Sequence, residues 1–261
     1  MFNKQKLAVL VAMLLSTPMM AQTAATGPNK VYIEQVGSSN TVTIEQVGGT
    51  NTVGGTGGSA TVSATAPIGI TTLAVTAPSN TNYGTITGST NIVGITQTGD
   101  ANSAQYNIKG SNNSYNSTVT GDNNQTKLTV GSATINSMRN VISETVTGNS
   151  NMIIQNITGS DVTSTTSITG NSNQVTSEQS SNFGSVSNTV SGSSNVMNIQ
   201  QTDTGTHQLV MNTVGDYNSI TTQQQGSNNT TMNIQTTGSN NTVTVRSSSS
   251  AISSPATASA R

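Results

Sequence analysis

The chain has no cysteine, no tryptophan and a single histidine in 261 residues. Aromatics are 3% and charged residues 7%, where an ordinary globular domain carries about 25% charged residues. Each scarcity excludes something. Without cysteine there is no disulfide framework and no thiolate metal site. Few aromatics and little leucine remove the side chains that fill most enzyme cores. Eight basic residues against nine acidic ones leave a net charge of −1 and no basic footprint for nucleic acid. A chain so weakly charged repels itself little, which favours association.

Ser, Thr and Asn take the vacant share: 37, 46 and 32 residues, or 115 of 261. The 31% hydrophobic fraction is mostly Val, Ile, Ala and Met. Uncharged, β-branched and small residues suit strands whose backbone supplies the cohesion, not a helical bundle.

Lys4 and Lys6 precede an apolar run, Leu7 to Leu15, followed by Pro18 and the small residues Ala21, Ala24 and Ala25. That order is the n-region, h-region and cleavage region of a secretory leader, and the run is too short to span a bilayer. Cleavage is expected after Ala21, with Ala25 as the alternative. The expected mature chain then carries 6 basic and 9 acidic residues, a net −3. It is expected outside the cell or on its surface, with no membrane insertion of the mature part.

An eleven-residue period organises the rest. Val31-Tyr-Ile-Glu-Gln-Val-Gly-Ser-Ser-Asn40 is matched by Val42-Thr-Ile-Glu-Gln-Val-Gly-Gly-Thr-Asn51. Gly88, Gly99, Gly110 and Gly121 are each 11 apart, and Asn91, Asn102, Asn113 and Asn124 keep step with them. Counting Gly37 and Gly48, Gly-x-x-Asn occurs twelve times. Between these marks the chain alternates as Asn-x-Val-x-Ile-x-Gln. It does so at Asn29, Val31, Ile33, Gln35; at Asn40, Val42, Ile44, Gln46; and at Asn91, Val93, Ile95, Gln97. Alternation on this scale predicts a half-buried strand, and Gly with Asn, which both tolerate positive φ, predicts a tight turn.

One strand and turn cannot bury its own apolar side, but stacked copies can. The expected fold is all-β: a β-solenoid whose eleven-residue arcs pair into coils of about 22 residues, with cross-β-like stacking. Val31, Ile33, Val42, Ile44, Val93 and Ile95 are the expected core. Asn29, Gln35, Asn40, Gln46, Asn51, Asn91, Gln97 and Asn102 are expected to form inward amide ladders, each bonding to its like one coil away. Gly37, Gly48, Gly88, Gly99, Gly110 and Gly121 are the expected turns.

The expected organisation is a leader over 1–21, first repeats over 22–53, an insertion over 54–82 that includes Pro67 and Pro78, solenoid repeats over 83–245, and a Ser-rich disordered tail over 246–261. The insertion is expected to loop out, as a hairpin. In the middle of the chain Ile108, Val119, Val130, Val146, Ile157 and Ile168 replace Gln, which returns as Gln179, Gln201 and Gln224. The stretch 180–188 and the interval around His207 are irregular. The Asn229 to Asn241 interval of 12 requires a bulge or longer turn.

The pattern Ile-x-Gln-x-Gly-x-x-Asn-x-(Val/Ala)-x-Ile-x-Gln resembles the curlin repeat. It is fullest over 31–53, 91–110 and 223–245, with looser matches across 83–245. Curlins are secreted subunits of curli, the functional amyloid of bacterial biofilm matrices. The resemblance implies a secreted structural protein that forms or joins extracellular cross-β fibres for adhesion. Its implied partners are itself or related subunits and an export pore. The roles of major subunit, nucleator and cap stay open.

Other chemistries are thin. His207 has Asp203 nearby, too few ligands for a metal site, and is expected on the surface. Glu34 and Glu45 have outward parity and would need a cleft to act as a catalytic pair. Gly-Asp at Gly99, Gly121 and Gly215 lacks the acid density of calcium-binding solenoids. Asn116-Ser-Thr118 is a glycosylation triplet of a kind this composition produces by chance. No enzyme and no cofactor are therefore expected. Two rival roles remain: a phage or virion fibre, against which the leader argues, and an ice-binding solenoid. For the latter, Thr41/Thr43, Thr163/Thr165 and Thr242/Thr244 are outward, but the rungs read between them carry Gln105/Asn107, Lys127 and Met152/Ile154.

Overall fold

The computed structural model describes residues 7–12, 29–54, 61–63, 74–76, 84–132, 134–202, 206–225 and 230–247. Among them there is no helix. The chain is a β-solenoid of eight full coils and one further strand, and each coil contributes one strand to each of two facing parallel sheets.

The front sheet stacks Thr41–Val47, Ile92–Thr98, Ser114–Thr120, Val141–Thr147, Thr163–Thr169, Ser185–Ser191, His207–Val214 and Thr230–Thr237. The back sheet begins with Lys30–Val31 and Ile33–Val36. It continues through Thr52–Val53 with Gly84–Thr87, then Ser103–Lys109, Gln125–Val130, Met152–Ile157, Gln174–Gln179, Val196–Thr202, Ser219–Gln225 and Thr242–Ser247. Consecutive arcs therefore do not pair. Arc n pairs with arc n+2, one coil away.

Where the sequence is regular the coil has the expected length of two arcs, with Ile92 opposite Ser114 and Met152 opposite Gln174. Three departures lengthen individual coils. Thr41 lies opposite Ile92, so the second coil holds the whole insertion. The insertion leaves the back sheet in mid-strand: Gly54 N–H bonds to Ala104 O, and Gly84 N–H to Tyr32 O, both at 2.7 Å. Within it Thr61–Ser63 and Ala74–Thr76 pair antiparallel; the remainder, with Pro67 and Pro78, lies outside the described residues. Ser114 lies opposite Val141, a longer step, and the surplus falls between Val130 and Ser137. The last two coils are longer again, Ser185 lying opposite Gln208 and Ser219 opposite Thr242. Their strands stay in register, so the surplus falls in the connection before each front strand.

The stretch 180–188, irregular in sequence, is regular in the fold: Ser185–Ser191 pairs residue for residue with Thr163–Thr169. The last strand runs to Ser247, past the expected start of the tail. The expected leader contributes one described strand, Leu7–Ala12, which lies antiparallel along Thr41–Val47. The expected cleavage region, Asp203, Asn229 and the tail beyond Ser247 lie outside the described residues. No helix of the described residues is long and apolar enough to cross a membrane.

Alternation sets the inside. Val42, Ile44 and Gln46 are buried; Thr43 is exposed and Glu45 half-buried. Val31, Val93 and Ile95 are buried, and Ile33 packs half-buried against them. The six expected turn glycines all have positive φ, from 111° to 139°. At Gly99 (φ 114°) a Cβ would collide with the carbonyl oxygen of Gly121, one coil on. The second left-handed residue of each corner is not Asn, as the sequence suggested, but the one before it: Ser39, Thr50, Ala101, Asn123 and Ser150 all have φ of 56–57°. Asn itself stays in ordinary backbone geometry, and its value to the corner is its amide.

Candidate assembly interface

Each coil has two corners. One joins the back sheet to the front, at Gly37–Asn40, Gly88–Asn91 and Gly110–Asn113. The other joins front to back, at Gly48–Asn51, Gly99–Asn102, Gly121–Asn124 and onward to Gly238–Asn241. The second kind keeps its Asn in every coil. Asn29, Asn51, Asn102, Asn124, Asn151, Asn173, Asn195, Asn218 and Asn241 form one unbroken column.

The bonding in that column is polar along the axis, with different bonds running back and forward. Each Oδ1 accepts the backbone N–H of the next Asn at 2.9–3.0 Å. From Asn124 to Asn218 the Nδ2 also donates back to the Oδ1 of the coil before, at 3.0–3.1 Å. From Asn51 to Asn218 it donates forward to the glycine carbonyl of the coil after, at 2.6–2.8 Å. Within the column the buried amides are satisfied by the asparagines and glycine carbonyls of neighbouring coils, as buried polar groups must be.

The other corner starts the same way. Asn40, Asn91, Asn113 and Asn140 ladder through Oδ1 at 2.9–3.1 Å. Asn140 was missed in sequence because Ser137 stands in its glycine position. Val162 then replaces Asn, donating its N–H to Asn140 Oδ1 at 2.8 Å, and the column ends.

Glutamine ladders occupy the two ends of the solenoid on different sheets. Gln46 Nε2 donates to Gln97 Oε1 at 2.9 Å in the front sheet. Gln179 donates to Gln201 at 2.6 Å and Gln201 to Gln224 at 2.7 Å in the back sheet. Gln35 does not ladder: the strand that resumes after the insertion puts Ile86 opposite it, and its Nε2 has no partner.

The remaining candidates disperse. Glu34 lies on the back sheet and Glu45 on the front, both at outward positions, so they form no carboxylate pair. His207 is buried rather than on the surface, because it shares inward parity with Leu209 and Met211. Asp100, Asp122 and Asp216 cap turns. Their Oδ1 atoms accept the N–H of Gly49, Asp100 and Ser193 at 2.6, 2.8 and 2.6 Å. Among the described residues no three His, Cys, Asp or Glu side chains are grouped to hold a metal ion.

The Thr pattern is also rearranged. Thr242/Thr244, Gln105/Asn107, Lys127 and Met152/Ile154 belong to the back sheet, not to the face of Thr41/Thr43. On the front sheet the register instead aligns Thr96, Thr118, Thr145, Ser167 and Thr189 in one outward column, and Thr98, Thr120, Thr147, Thr169 and Ser191 in the next.

The two ends of the solenoid are unlike. At the C-terminal end Thr230–Thr237 and Thr242–Ser247 are each paired on one side only, among the described strands. At the N-terminal end Lys30–Val31 and Ile33–Val36 are likewise paired on one side, while Thr41–Val47 carries Leu7–Ala12. No family model, curated protein or solved structure matches this chain.

Proposed function

We propose that the chain is a secreted structural subunit that stacks end to end into extracellular cross-β fibres, as the curlin resemblance implies. The observation that carries the reading is the unbroken, axially polar asparagine column ending at Asn29 and Asn241. A column whose bonds differ in the two directions is continued in its own pattern by a second copy only head to tail. Repeated along the solenoid axis, such a contact does not close and gives a filament. The sheet edges that end on the same coils present unpaired N–H and C=O groups, which template further strands. Removal of residues 1–21 as a leader would free the Thr41–Val47 edge as well. Partners on this reading are further copies or related subunits, with an export pore on the way out.

The test is purified chain lacking residues 1–21. It is expected to bind an amyloid dye and to give a fibre reflection at about 4.7–4.8 Å. Persistence as a monomer for days at high concentration would refute autonomous polymerisation and leave a capping or accessory role.

A second reading has its own observation. The two Thr/Ser columns of the front sheet form an uncharged lattice repeating at about 4.8 Å between coils and about 6.7 Å along the strand. Such a lattice of hydroxyls and methyls suits an ice surface. Thermal hysteresis that disappears in Thr120→Lys would support it, and no hysteresis at any concentration would remove it.

A further inference from the structure

We propose that the middle of the solenoid is a proton-coupled folding element, in which the closing coils take up a proton on the Glu144 carboxyl. This concerns the folding of one chain and stands whether or not the chain polymerises.

Glu144 has inward parity with Ile142 and Val146 and is 1% exposed. Its carboxyl meets two neutral donors. Tyr115 O–H donates to Oε2 at 2.7 Å, from the same sheet one coil before, and Gln155 Nε2 donates to Oε1 at 3.0 Å, from the facing sheet. Gln155 is itself held in place, its Oε1 accepting from Ser164 Oγ at 2.7 Å. Among the described residues no cation is bonded to the carboxyl. Six strands surround it, Ser114–Thr120 to Gln174–Gln179. Among their inward side chains only Tyr115 and Glu144 itself titrate. Lys127 and Glu178 sit on the same strands at outward parity.

A carboxylate buried among neutral groups is costly, because two hydrogen bonds do not replace its hydration. Burial raises the Glu144 pKa from 4.5 to about 7, and the bonds from Tyr115 and Gln155 offset part of that rise. The folded chain therefore holds this proton more tightly than the unfolded chain. Stability is full below about pH 4.5, falls as pH rises towards 7, and falls no further above it. Within that window the folding constant drops by up to about tenfold per pH unit.

The experiment is urea unfolding of the full chain, followed by circular dichroism from pH 4.5 to 8, below the concentration at which it associates. Wild type is expected to lose about two orders of magnitude in its folding constant across the window. Glu144→Gln keeps the shape and the amide contacts but cannot titrate, so the loss attributable to this group disappears. Every other group is the same in both proteins and cancels in the comparison. If Glu144→Gln does not fold, Tyr115→Phe decides. Removing a donor to the carboxylate is expected to move the transition to higher pH. Identical pH profiles for wild type and Glu144→Gln, or a Tyr115→Phe transition at unchanged or lower pH, would overturn the proposal.

Discussion

Asn151→Ala tests whether the asparagine column holds the coils together or only decorates them. The substitution removes both bonds of Nδ2, to Asn124 Oδ1 at 3.1 Å and to Gly170 O at 2.7 Å. It also removes the acceptor for Asn173 N–H at 3.0 Å and Asn173 Nδ2 at 3.1 Å. Not all of these groups are stranded. Asn124 Oδ1 keeps the backbone N–H of residue 151, and Asn173 Nδ2 keeps Gly192 O. The backbone N–H of Asn173 loses the partner it has and stays buried. A stranded buried donor costs about 1–3 kcal/mol and a lost net bond about 0.5–1.5 kcal/mol. The expected destabilisation is thus about 2–4 kcal/mol.

The fold supplies an upper bound. At the other corner Val162 and Gly184 stand where Asn would, yet the front strands on either side remain in register. One break should weaken the column without abolishing the coil. Asn149→Ala is the control, because Asn149 is exposed and its Oδ1 accepts a turn N–H that water can replace. It should cost no more than about 0.5 kcal/mol. Urea unfolding of the two variants and wild type at equal concentration measures the difference. If Asn151→Ala cost no more than Asn149→Ala, the column would not be a source of cohesion and the head-to-tail argument would lose its basis.

Ile44→Asp places an unpaired charge between the sheets beside Ile95 and is expected to prevent the first coils from forming. Glu45→Lys, at a half-exposed outward position, should change stability by less than about 0.5 kcal/mol in the same unfolding assay. Gly99→Ala should destabilise by more than about 2 kcal/mol, through strain at φ 114° and collision with Gly121 O. Asn188→Leu should stabilise by about 1–3 kcal/mol, because neither amide atom of this buried side chain has a hydrogen-bond partner. Thermal melts of the last two variants should move in opposite directions.

Like residues stacked on like residues leave a period in the sequence, and the fold is legible to that extent. Asn40 and Asn51, Val42 and Val31, and Gly37 and Gly48 announce arc length, corner and inward parity before any coordinate is known. Coils of two arcs already imply that arc n pairs with arc n+2, and the fold has that pairing; which arcs share a sheet is lost where the insertion and the longer connections break the count. The two corners therefore had to be separated by the structure, which shows one complete asparagine column and one that stops at Val162. Grouping the Thr pairs without that register mixed two sheets and hid the front-sheet columns. Gln35 was misread for a related reason: the insertion cuts its neighbouring coil in mid-strand, and no local feature says that Ile86 is what resumes opposite it.

The centre of the chain was least legible, where the glutamines vanish. Cohesion there does not run only along the axis. Glu144 has no Glu above or below it; its column holds Ser117 and Thr166. Its carboxyl is satisfied by a tyrosine one coil away and a glutamine from the facing sheet. Such unlike partners leave no period, because each occurs once. Parity alone places Glu144 inside, next to Ile142 and Val146, and a buried acid at a solenoid position flanked by aliphatics is a signal that a sequence reading can use. What it lacks is the identity of the donors, which come from two other strands, Ser114–Thr120 and Met152–Ile157. A repeat that loses its ladder residue in the middle has therefore not simply decayed. Here it has exchanged bonding between identical residues for a network across the core, and that exchange gives the middle coils a dependence on pH that ladders of uncharged amides do not have.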